Sequence, residues 1–477
     1  MNCQLTSYKF NSMLDQYQNI MTIAAISTAV SAGQGGVAII RISGDDALEV
    51  GQNLVSIKGD KEWNSHTILY GNIYEDDDNK NLIDEILVLI MKSPKSFTGE
   101  DVIEIHCHGG LISVQRILKK VLSHQKVRRA LPGEFTQRAV LNGKIDLTKA
   151  EAISEIIGAS SIKAAKLAVS GLDGGIQKII EYCRDKLITQ LAEIEARVDF
   201  EEDLPPLSKI DISKEINKIK HKLNEIINSS DKVSCIRKGL KIGLIGSPNV
   251  GKSSLINHLS RRELSIVTSV PGTTRDIIKN DIDIEGVPLT LIDTAGIHST
   301  KDEVEKIGIS KSKEVMQKAD LIILIFDLSC GWTNNDQKLI DQAPDDINIL
   351  VVGNKSDICL NSKENKIVKN NKKISPIVNV SALTGEGDQE LKEQILKKCN
   401  ANDLESQIIS LNQRQCDLAK SAVDSLDKME DIMQEDLPFD FWTIDLRDAI
   451  DKLGEITGKV VTEELLDNIF SRFCIGK

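Results

Sequence analysis

The sequence predicts a multidomain protein that combines α/β and all-α parts. Its 477 residues exceed the size at which one hydrophobic core stops growing, so several domains are expected. Short β-branched segments fill the first part of the chain, and apolar residues at helical spacing dominate two later parts. Between those two parts lies a region where apolar strands alternate with helices. We therefore predict an N-terminal α+β domain and a discontinuous helical bundle that carries an inserted α/β domain.

The composition excludes several protein classes. The chain is 41% hydrophobic and 27% charged with only 10 Pro and 31 Gly, which excludes collagen-like, low-complexity and wholly disordered proteins. A formal net charge of -12 argues against broad, non-specific binding of polyanions. A nucleic-acid substrate would therefore need a local basic face or a partner protein.

Cysteine usage and hydropathy bear on the compartment. The nine cysteines are an odd number without a C-x-x-C pair, which is typical of a reduced cytosol. No segment approaches the roughly 20 uninterrupted apolar residues of a membrane span, so we expect no membrane association and a cytoplasmic location. Residues 1–21 lack the apolar block of a secretory signal. They are expected to be an N-terminal extension, or a misassigned start if Met21 is the first residue.

The first expected domain covers residues 22–142. Three β-branched segments predict strands: VAIIRIS at 37–43, IDEILVLIM at 83–91 and DVIEIHC at 101–107. An amphipathic segment at 111–124 predicts a helix. This mixture indicates a compact α+β domain.

The rest of the chain is expected to be a helical domain in two parts, 143–237 and 402–477, around an inserted domain at 238–401. The first part is rich in Ala and Ile at helical spacing and is broken by EEDLPPLSK at 201–209. The second part predicts helices at 404–435, 441–453 and 459–473. The inserted domain contains five apolar strands that predict a parallel sheet covered on both faces, namely KIGLIG, VPLTLID, LIILIFD, NILVVG and SPIVNVS.

A phosphate-binding motif opens the inserted domain. Residues 246–253 read GSPNVGKS and follow the apolar run KIGLI, immediately before the helical run SLINHLS. This is the strand, loop and helix context of a P-loop. Gly246 and Gly251 allow backbone N–H groups to face the phosphates. Lys252 is expected to reach the β- and γ-phosphate oxygens, and the Ser253 hydroxyl to bind Mg²⁺.

Two further segments are expected to respond to the γ-phosphate. DTAG at 293–296 follows a predicted strand, which places Asp293 behind the Mg²⁺ and the Gly296 N–H near the γ-phosphate. The polar loop IVTSVPGTTRD at 266–276 carries Thr273 and Thr274. One of these threonines should complete the Mg²⁺ coordination as part of a switch segment, and we expect it to be Thr274.

The base-binding motifs predict guanine. Asp357 of NKSD (354–357) can accept both N–H groups on one edge of guanine, while Asn354 meets O6 or N7. Adenine would leave this carboxylate unpaired, so GTP is expected rather than ATP. The backbone of SALTG (381–385) should complete the pocket. The full expected GTP-binding set is Asn249, Val250, Gly251, Lys252, Ser253, Ser254, Thr268, Ser269, Val270, Pro271, Gly272, Thr273, Thr274, Asp293, Thr294, Ala295, Gly296, Asn354, Lys355, Asp357, Ser381, Ala382 and Leu383.

These motifs, in order, indicate a Ras-like P-loop GTPase domain. One position departs from Ras-like enzymes, in which a Gln after DTAG orients the attacking water. Here that position is Ile297, which cannot hydrogen-bond water. The orienting residue must lie elsewhere, and the residues alone leave open four candidates: His298, Asp302, Glu303 and Glu305.

Taken together, PNVGKSS, IVTSVPGTTRD, DTAG followed by an apolar residue, and DEVEKIGIS resemble the tRNA-modifying GTPase family called MnmE or TrmE. The resemblance implies that Glu305 orients the water through a bridging water. It also implies a K⁺ ion held by Asn249, Thr268, Val270 and Thr273, with Mg²⁺ held by Ser253 and Thr274. Potassium-stimulated hydrolysis would then accompany face-to-face dimerisation of two GTPase domains.

The two ends of the chain extend this resemblance. From the residues alone, Cys474 in the C-terminal FCIGK could be a reactive thiol or an apolar cap, and the tail fits a prenylation signal poorly. The family ends in the same C-x-G-K tail, which implies a catalytic role for Cys474.

SFTGEDVIEIHCHGG (96–110) and PGEFTQRAVLNGKIDLTKAEA (132–152) resemble the family's folate-binding-like domain, which also forms a homodimer. The resemblance implies that Arg41, Glu104, Lys144 and Lys477 bind a tetrahydrofolate derivative, either 5-formyl-tetrahydrofolate or methylene-tetrahydrofolate. The family chemistry also needs an FAD-containing partner, MnmG, in a heterotetramer. Together they would add an aminomethyl or carboxymethylaminomethyl group at C5 of the wobble uridine of certain tRNAs, with the tRNA shared by the partner.

One alternative is a ribosome-assembly GTPase of the Era or Der type that acts as an RNA-binding switch. Such a protein would be expected to carry a basic RNA-binding module or a second GTPase domain. This sequence has one NKxD motif, and its helical region after residue 402 is not notably basic. The sequence therefore favours the tRNA-modification interpretation.

Overall fold

The computed structural model describes residues 22–200, 208–262, 279–293, 316, 319–344, 347–358, 377–399, 409–435 and 437–477, except for positions 32, 34, 58, 60, 77 and 79. The described residues form two compact units. The first contains the described residues up to Ser154 together with Thr457–Lys477, and the second is Glu155–Ile456. Residues 1–21, the expected N-terminal extension, lie outside the described part. The domain boundaries given above stay predictions.

A seven-stranded sheet is the centre of the first unit, as expected for an α+β domain. Its strand order is β3-β4-β5-β6-β2-β1-β7, and only β1 and β7 pair in parallel. The strands are β1 (Thr22–Ile26), β2 (Val37–Ser43), β3 (Val55–Ile57), β4 (Thr67–Tyr74), β5 (Leu82–Met91), β6 (Val102–His108) and β7 (Val127–Arg129). Its helices are α1 (Ala47–Leu54), α2 (Leu111–Leu122), α3 (Glu134–Leu141) and α4 (Leu147–Gly158), the last of which continues into the second unit.

Strand alternation determines which side chains β2 buries in the core. Ala38, Ile40 and Ile42 are completely buried and pack with the apolar face of α2. Because successive strand side chains point to opposite faces, Arg41 lies on the other face of the sheet. The β2–β6 register places Arg41 directly opposite Glu104.

The C-terminal segment belongs to the first unit. Helix α13 spans Glu463–Phe470, shorter than the predicted 459–473, because Thr462 caps its N-terminus. Phe470 and Phe473 are buried in a small apolar cluster with Leu147. The chain then passes Gly133, whose N–H donates a hydrogen bond to the Cys474 carbonyl oxygen at 3.3 Å.

The second unit contains a six-stranded sheet of order β13-β12-β11-β8-β10-β9. Its strands are β8 (Leu240–Ile245), β9 (Lys279–Ile284), β10 (Val287–Asp293), β11 (Leu321–Asp327), β12 (Asn348–Asn354) and β13 (Ile377–Asn379). The five predicted strands, β8 and β10 to β13, pair in parallel as expected. The sequence did not predict β9, which pairs antiparallel with β10 at one edge of the sheet. A two-residue turn, Glu285–Gly286, joins these strands, and so short a connection permits only an antiparallel pair.

Helices on both sides of this sheet in the sequence share one apolar core. Ile180 and Leu187 precede the sheet, and Leu426 and Trp442 follow it, yet all four side chains are buried in the same cluster. The unit's helices are α5 (Ile162–Leu172), α6 (Gly175–Asp199), α7 (Lys209–Lys238), α8 (Lys252–Arg262), α9 (Asn334–Asp341), α10 (Asp388–Lys398), α11 (Gln413–Gln434) and α12 (Phe439–Thr457). No described helix is both long and apolar enough to cross a membrane.

Gly133 offers a test of how the C-terminal segment is held. Its φ is +68°, and an added Cβ would lie 2.8 Å from the Phe470 carbonyl oxygen and 2.9 Å from Phe473 Cβ. We expect Gly133→Ala to expose the peptide bond after Arg472, because both the backbone strain and the clash oppose docking of the segment. Tryptic cleavage at Arg472 should accelerate about tenfold or more. Gly36→Ala is the matched control, since nothing lies within 4 Å of its added Cβ and its φ is not positive. Equal cleavage of both variants and the wild type would contradict the prediction.

Candidate functional site

The P-loop of the second unit has the geometry of a phosphate cradle. Strand β8 ends at Ile245 and helix α8 begins at Lys252, so the loop between them leads into a helix N-terminus that favours anions. An added Cβ would lie 2.2 Å from the Ile325 carbonyl oxygen at Gly246 and 2.2 Å from Asn354 Nδ2 at Gly251. Both positions therefore require glycine. Lys252 Nζ donates hydrogen bonds to the carbonyl oxygens of Gly246 and Ser247 at 2.8 and 2.9 Å.

The other described P-loop residues differ in exposure. The Ser253 and Ser254 side chains are exposed in the first turn of α8, whereas Val250 is buried beneath the loop. Asn249 adopts a left-handed backbone conformation, with φ +62°. The accessible Ser253 hydroxyl lies beside a loop that requires glycine at two positions, and this arrangement fits a Mg²⁺-bound phosphate. The ion needs oxygen ligands and the phosphate needs N–H donors, and both kinds of group must face outward.

The predicted base-binding segments converge on the P-loop. Asn354 is 2% exposed and makes two bridging hydrogen bonds. Its Nδ2 donates to the Val250 carbonyl oxygen at 2.8 Å, and its Oδ1 accepts from the Ala382 N–H at 3.0 Å. The Ser381 hydroxyl donates to Asp357 Oδ1 at 2.6 Å, while Leu383 is 84% exposed. The NKSD and SALTG motifs thus form one site with the P-loop.

Sequence analysis missed Asp327, which completes this site. Lys355, with a φ of +67°, reaches Asp327 Oδ2 through its Nζ at 2.5 Å. Burial alone would raise the pKa of the Asp327 carboxyl, but hydrogen bonds from Lys355 and Ser329 outweigh burial and hold the pKa below its usual range. The ion pair therefore persists at neutral pH. A signal was present, because Asp327 ends the apolar strand β11 at the same sheet edge as Asn354.

Part of the expected site falls beyond the described ranges. Backbone pairing puts Asp293, the last residue of β10, beside Leu244 and so at the P-loop end of β8. The following expected residues lie outside the described residues: Thr268, Ser269, Val270, Pro271, Gly272, Thr273, Thr274, Thr294, Ala295, Gly296 and Glu305. Within the described ranges there is no group of three or more His, Cys, Asp or Glu that could hold a metal ion. The expected metal ligands Ser253 and Asn249 carry a hydroxyl and an amide, so such a group would not include them.

A second candidate site lies in the first unit. Arg41 Nε donates to Glu104 Oε1 at 2.8 Å, and both side chains are largely buried. The guanidinium carbon lies 5.8 and 5.6 Å from the ring centroids of Phe97 and Phe135, close enough for cation–π attraction. His106 Nε2 lies 3.4 Å from Glu104 Oε2. The structure thus brings together a buried cation, a carboxylate and aromatic rings.

Lys144 and Lys477 have separate contacts. Lys144 Nζ donates to the Pro94 carbonyl oxygen at 2.7 Å, and the Lys477 N–H donates to the Cys474 carbonyl oxygen at 3.4 Å. Among the described hydrogen bonds and ion pairs, neither lysine joins Arg41 or Glu104. The structure therefore brings two of the four expected folate-binding residues into direct contact.

The C-terminal tail lies next to the strand that neighbours Arg41. A Cβ added to Gly476 would lie 2.3 Å from the Ile26 carbonyl oxygen. Ile26 pairs with Ile40 in the β1–β2 ladder, one residue from Arg41. The Cys474 thiol is exposed on this tail. An exposed thiol and the Arg41 cluster therefore share one region of the same unit.

A buried ionic network shapes the loop that contacts the tail. Glu134 accepts a hydrogen bond from the Leu131 N–H and pairs with Arg128 and Arg138. Burial would raise the pKa of Glu134, but Arg128, Leu131 and Arg138 together hold it below its usual range. The charged form is therefore favoured, and it holds the turn at Gly133 that bonds to Cys474.

Comparison with known proteins identifies the family. A family model described as "MnmE helical domain" matches residues 147–474, and one described as "GTP-binding protein TrmE N-terminus" matches residues 22–144. A Prochlorococcus marinus (strain NATL1A) protein named "tRNA modification GTPase MnmE" is 55% identical over 96% of this chain and 98% of its own length. A protein of the same name from Synechococcus sp. (strain WH7803) is 51% identical over 96% of this chain and 99% of its own.

Among solved structures, a variant of Aquifex aeolicus Era bound to GDP.AlF4- is 28% identical over 39% of this chain and 66% of its own. Its TM-score of 0.28 is too low to support a conclusion about fold. The near full-length relatives and the two family models carry the assignment instead. The chain belongs to the tRNA modification GTPase MnmE family.

Proposed function

We propose that this chain, a GTP hydrolase involved in tRNA modification, couples GTP hydrolysis to one-carbon chemistry on tRNA. With a flavin-dependent partner, MnmG, it adds an aminomethyl or carboxymethylaminomethyl group at C5 of the wobble uridine of certain tRNAs. It works as a homodimer in a cytoplasmic heterotetramer with that partner. The observation that carries the proposal is the joining of P-loop, NKSD and SALTG by Asn354, in a chain of this family.

GTP hydrolysis depends on charge stabilisation and positioning, because phosphoryl transfer requires little covalent chemistry from the protein. Lys252 binds the β- and γ-phosphate oxygens, and the backbone of 247–251 donates to the phosphates. Ser253 and Thr274 hold Mg²⁺, and Asn249, Thr268, Val270 and Thr273 hold K⁺. These ions supply positive charge to the transition state when they are bound. Glu305 orients the attacking water.

The contacts of Asp357 and Asn354 support guanine recognition. Asp357, already oriented by Ser381, accepts the two N–H groups of the base edge. The Ala382 N–H donates to Asn354 Oδ1, which holds the base-binding loop beside Asn354. A base with an adenine pattern leaves the Asp357 carboxylate without donors, and that desolvation cost provides selectivity.

The one-carbon donor, a tetrahydrofolate derivative, binds in the first unit. Glu104 suits the amide-like edge of a pterin, and Arg41, Lys144 and Lys477 suit the carboxylates of its glutamate tail. The burial of Arg41 and Glu104 beside Phe97 and Phe135 supports a flat, partly polar ligand. Cys474, exposed on the neighbouring tail, is a catalytic residue of the tRNA chemistry.

Family membership favours this function over ribosome assembly of the Era or Der type. Relatives that match almost the whole chain at 51–55% identity are named for tRNA modification. The described structure also contains two separate clusters of candidate site residues, one in each unit. A nucleotide switch alone would need only the second.

Potassium dependence tests the proposed GTP site. We expect GTP turnover to be about tenfold or more faster in K⁺ than in Na⁺ buffer, because the ion stabilises transition-state charge. Asn249→Gly should abolish that difference and leave GDP affinity nearly unchanged. Glycine is chosen because it tolerates the φ of +62° while removing the amide ligand. If wild-type GTP turnover were equally fast in the two buffers, K⁺ would have no part in the mechanism. If ATP were turned over as fast as GTP, the proposed guanine selectivity would be wrong.

Calorimetric titration with 5-formyl-tetrahydrofolate tests the site in the first unit. We expect Arg41→Ala to weaken binding about 30-fold or more, because it removes the buried cation that pairs with Glu104. Arg116→Ala is the matched control, since it removes a solvent-exposed ion pair with Glu75 in the same unit. The assignment would be refuted if the wild-type protein did not bind 5-formyl-tetrahydrofolate, or if both variants weakened its binding equally.

A further inference from the structure

We propose that His258 and Asp388 are positioning residues that hold the guanine-binding loop at a fixed distance from the phosphate-binding helix. They thereby set the affinity for guanine nucleotides, an inference that rests on the GTP site proposed above. Neither residue belongs to the P-loop, NKSD or SALTG motifs. Each lies on a helix that directly follows one of the binding loops.

The contact between them is short and sheltered from solvent. His258 Nε2 lies 2.6 Å from Asp388 Oδ2, with 14% and 9% of the two side chains exposed. His258 is six residues after Lys252 on α8, about 9 Å along the helix axis. Asp388 is the first residue of α10. The hydrogen bond therefore joins the helix that follows the P-loop to the helix that follows the base-binding loop.

The loop before Asp388 transmits this position to the base-binding groups. The Ser381 N–H donates to the Glu386 carbonyl oxygen at 2.9 Å, and the Gly385 N–H donates to the Ser381 carbonyl oxygen at 2.8 Å. These bonds close residues 381–386 into a compact turn whose far end leads directly into Asp388. Because the turn is closed on itself, displacement of Asp388 moves Ser381 and Ala382 with it.

Two anchors are needed to fix the loop relative to the phosphates. Asn354 joins the P-loop to Ala382 at the base end of the turn. Other bonds hold the turn to the end of β12, since the Val380 N–H donates to the Gly353 carbonyl oxygen at 2.8 Å and the Ser356 hydroxyl donates to Glu386 Oε2 at 3.0 Å. These bonds join the base-binding segments to each other and not to the helix that follows the P-loop. The hydrogen bond between His258 and Asp388 fixes the other end, so the distance between the phosphate-binding and base-binding groups is constrained at two points. A bond that involves a carboxylate in a sheltered site is strong enough to maintain such a constraint.

A pair of substitutions at His258 isolates the hydrogen bond. In His258→Gln the terminal amide nitrogen can occupy the position of Nε2, whereas the shorter side chain of His258→Asn cannot reach Asp388. We expect the Kd for GDP, measured with the full-length chain and a fluorescent GDP analogue, to rise about fivefold to tenfold for Asn. The Gln variant should remain within about twofold of the wild type.

Inorganic pyrophosphate separates positioning from a general structural role. It occupies the phosphate cradle but not the base pocket, so its inhibition constant against the GDP analogue should not change in His258→Asn. If the substitution merely destabilised the protein, the fraction of protein able to bind nucleotide would fall. The Kd for GDP and the inhibition constant of pyrophosphate would both stay unchanged. His221→Asn is the matched control, because it removes an exposed histidine–glutamate pair with Glu225 on α7.

Each outcome has one meaning. If the Asn and Gln variants weaken GDP binding equally, or if pyrophosphate and GDP weaken in parallel, the positioning role is overturned. If His258→Asn does not fold, Asp388→Ala removes the acceptor instead and must give the same selective loss of GDP affinity. A wild-type chain that fails to bind GDP would refute the proposed function itself, whereas wild-type binding with an unchanged His258→Asn variant would refute only this inference.

Discussion

The nucleotide site depends on one buried amide, that of Asn354. Its nitrogen and oxygen bridge the Val250 carbonyl and the Ala382 N–H, and these groups lie on segments far apart in the sequence. At 2% exposure, neither half of the amide can exchange its partner for water without a cost of a few kcal/mol, about 1–3 for each unsatisfied group. The phosphate-binding and base-binding loops therefore cannot move apart without breaking one of these two hydrogen bonds.

The same principle of mutual constraint applies in the first unit. Alternation along β2 sends Ile40 and Ile42 into the core, so Arg41 must emerge on the opposite face, where β6 presents Glu104. Phe470 and Phe473 pack with Leu147 and hold the C-terminal segment, whose Gly476 lies against Ile26 of β1, the strand next to β2. A tail from the opposite end of the sequence thus reaches the region of Arg41. Its position depends on packing rather than on any local pattern.

This difference explains what the sequence could and could not predict. Strand β2 has the predicted bounds 37–43, because a β-branched run is a local signal. The P-loop and base motifs are likewise local and were found with their structural context. The antiparallel edge strand β9, by contrast, lies in a segment without a continuous apolar run. The partners of Lys355 and His258 lie 28 and 130 residues away in the sequence, and folding brings each pair together.

The inserted α/β domain is not an independent module attached to the helices. Ala164 and Leu167 of α5 and Val233 of α7 pack in the same buried cluster as Ile284 and Leu289 of the sheet. The Ser161 hydroxyl donates to the Gly286 carbonyl oxygen at 2.7 Å, which attaches the β9–β10 turn to the start of α5. In the sequence this hairpin connects the polar loop 266–276 to DTAG, the two segments expected to respond to the γ-phosphate. A displacement of the hairpin must therefore either carry α5 with it or break a buried contact. The hairpin and α5 are therefore parts of one packed structure.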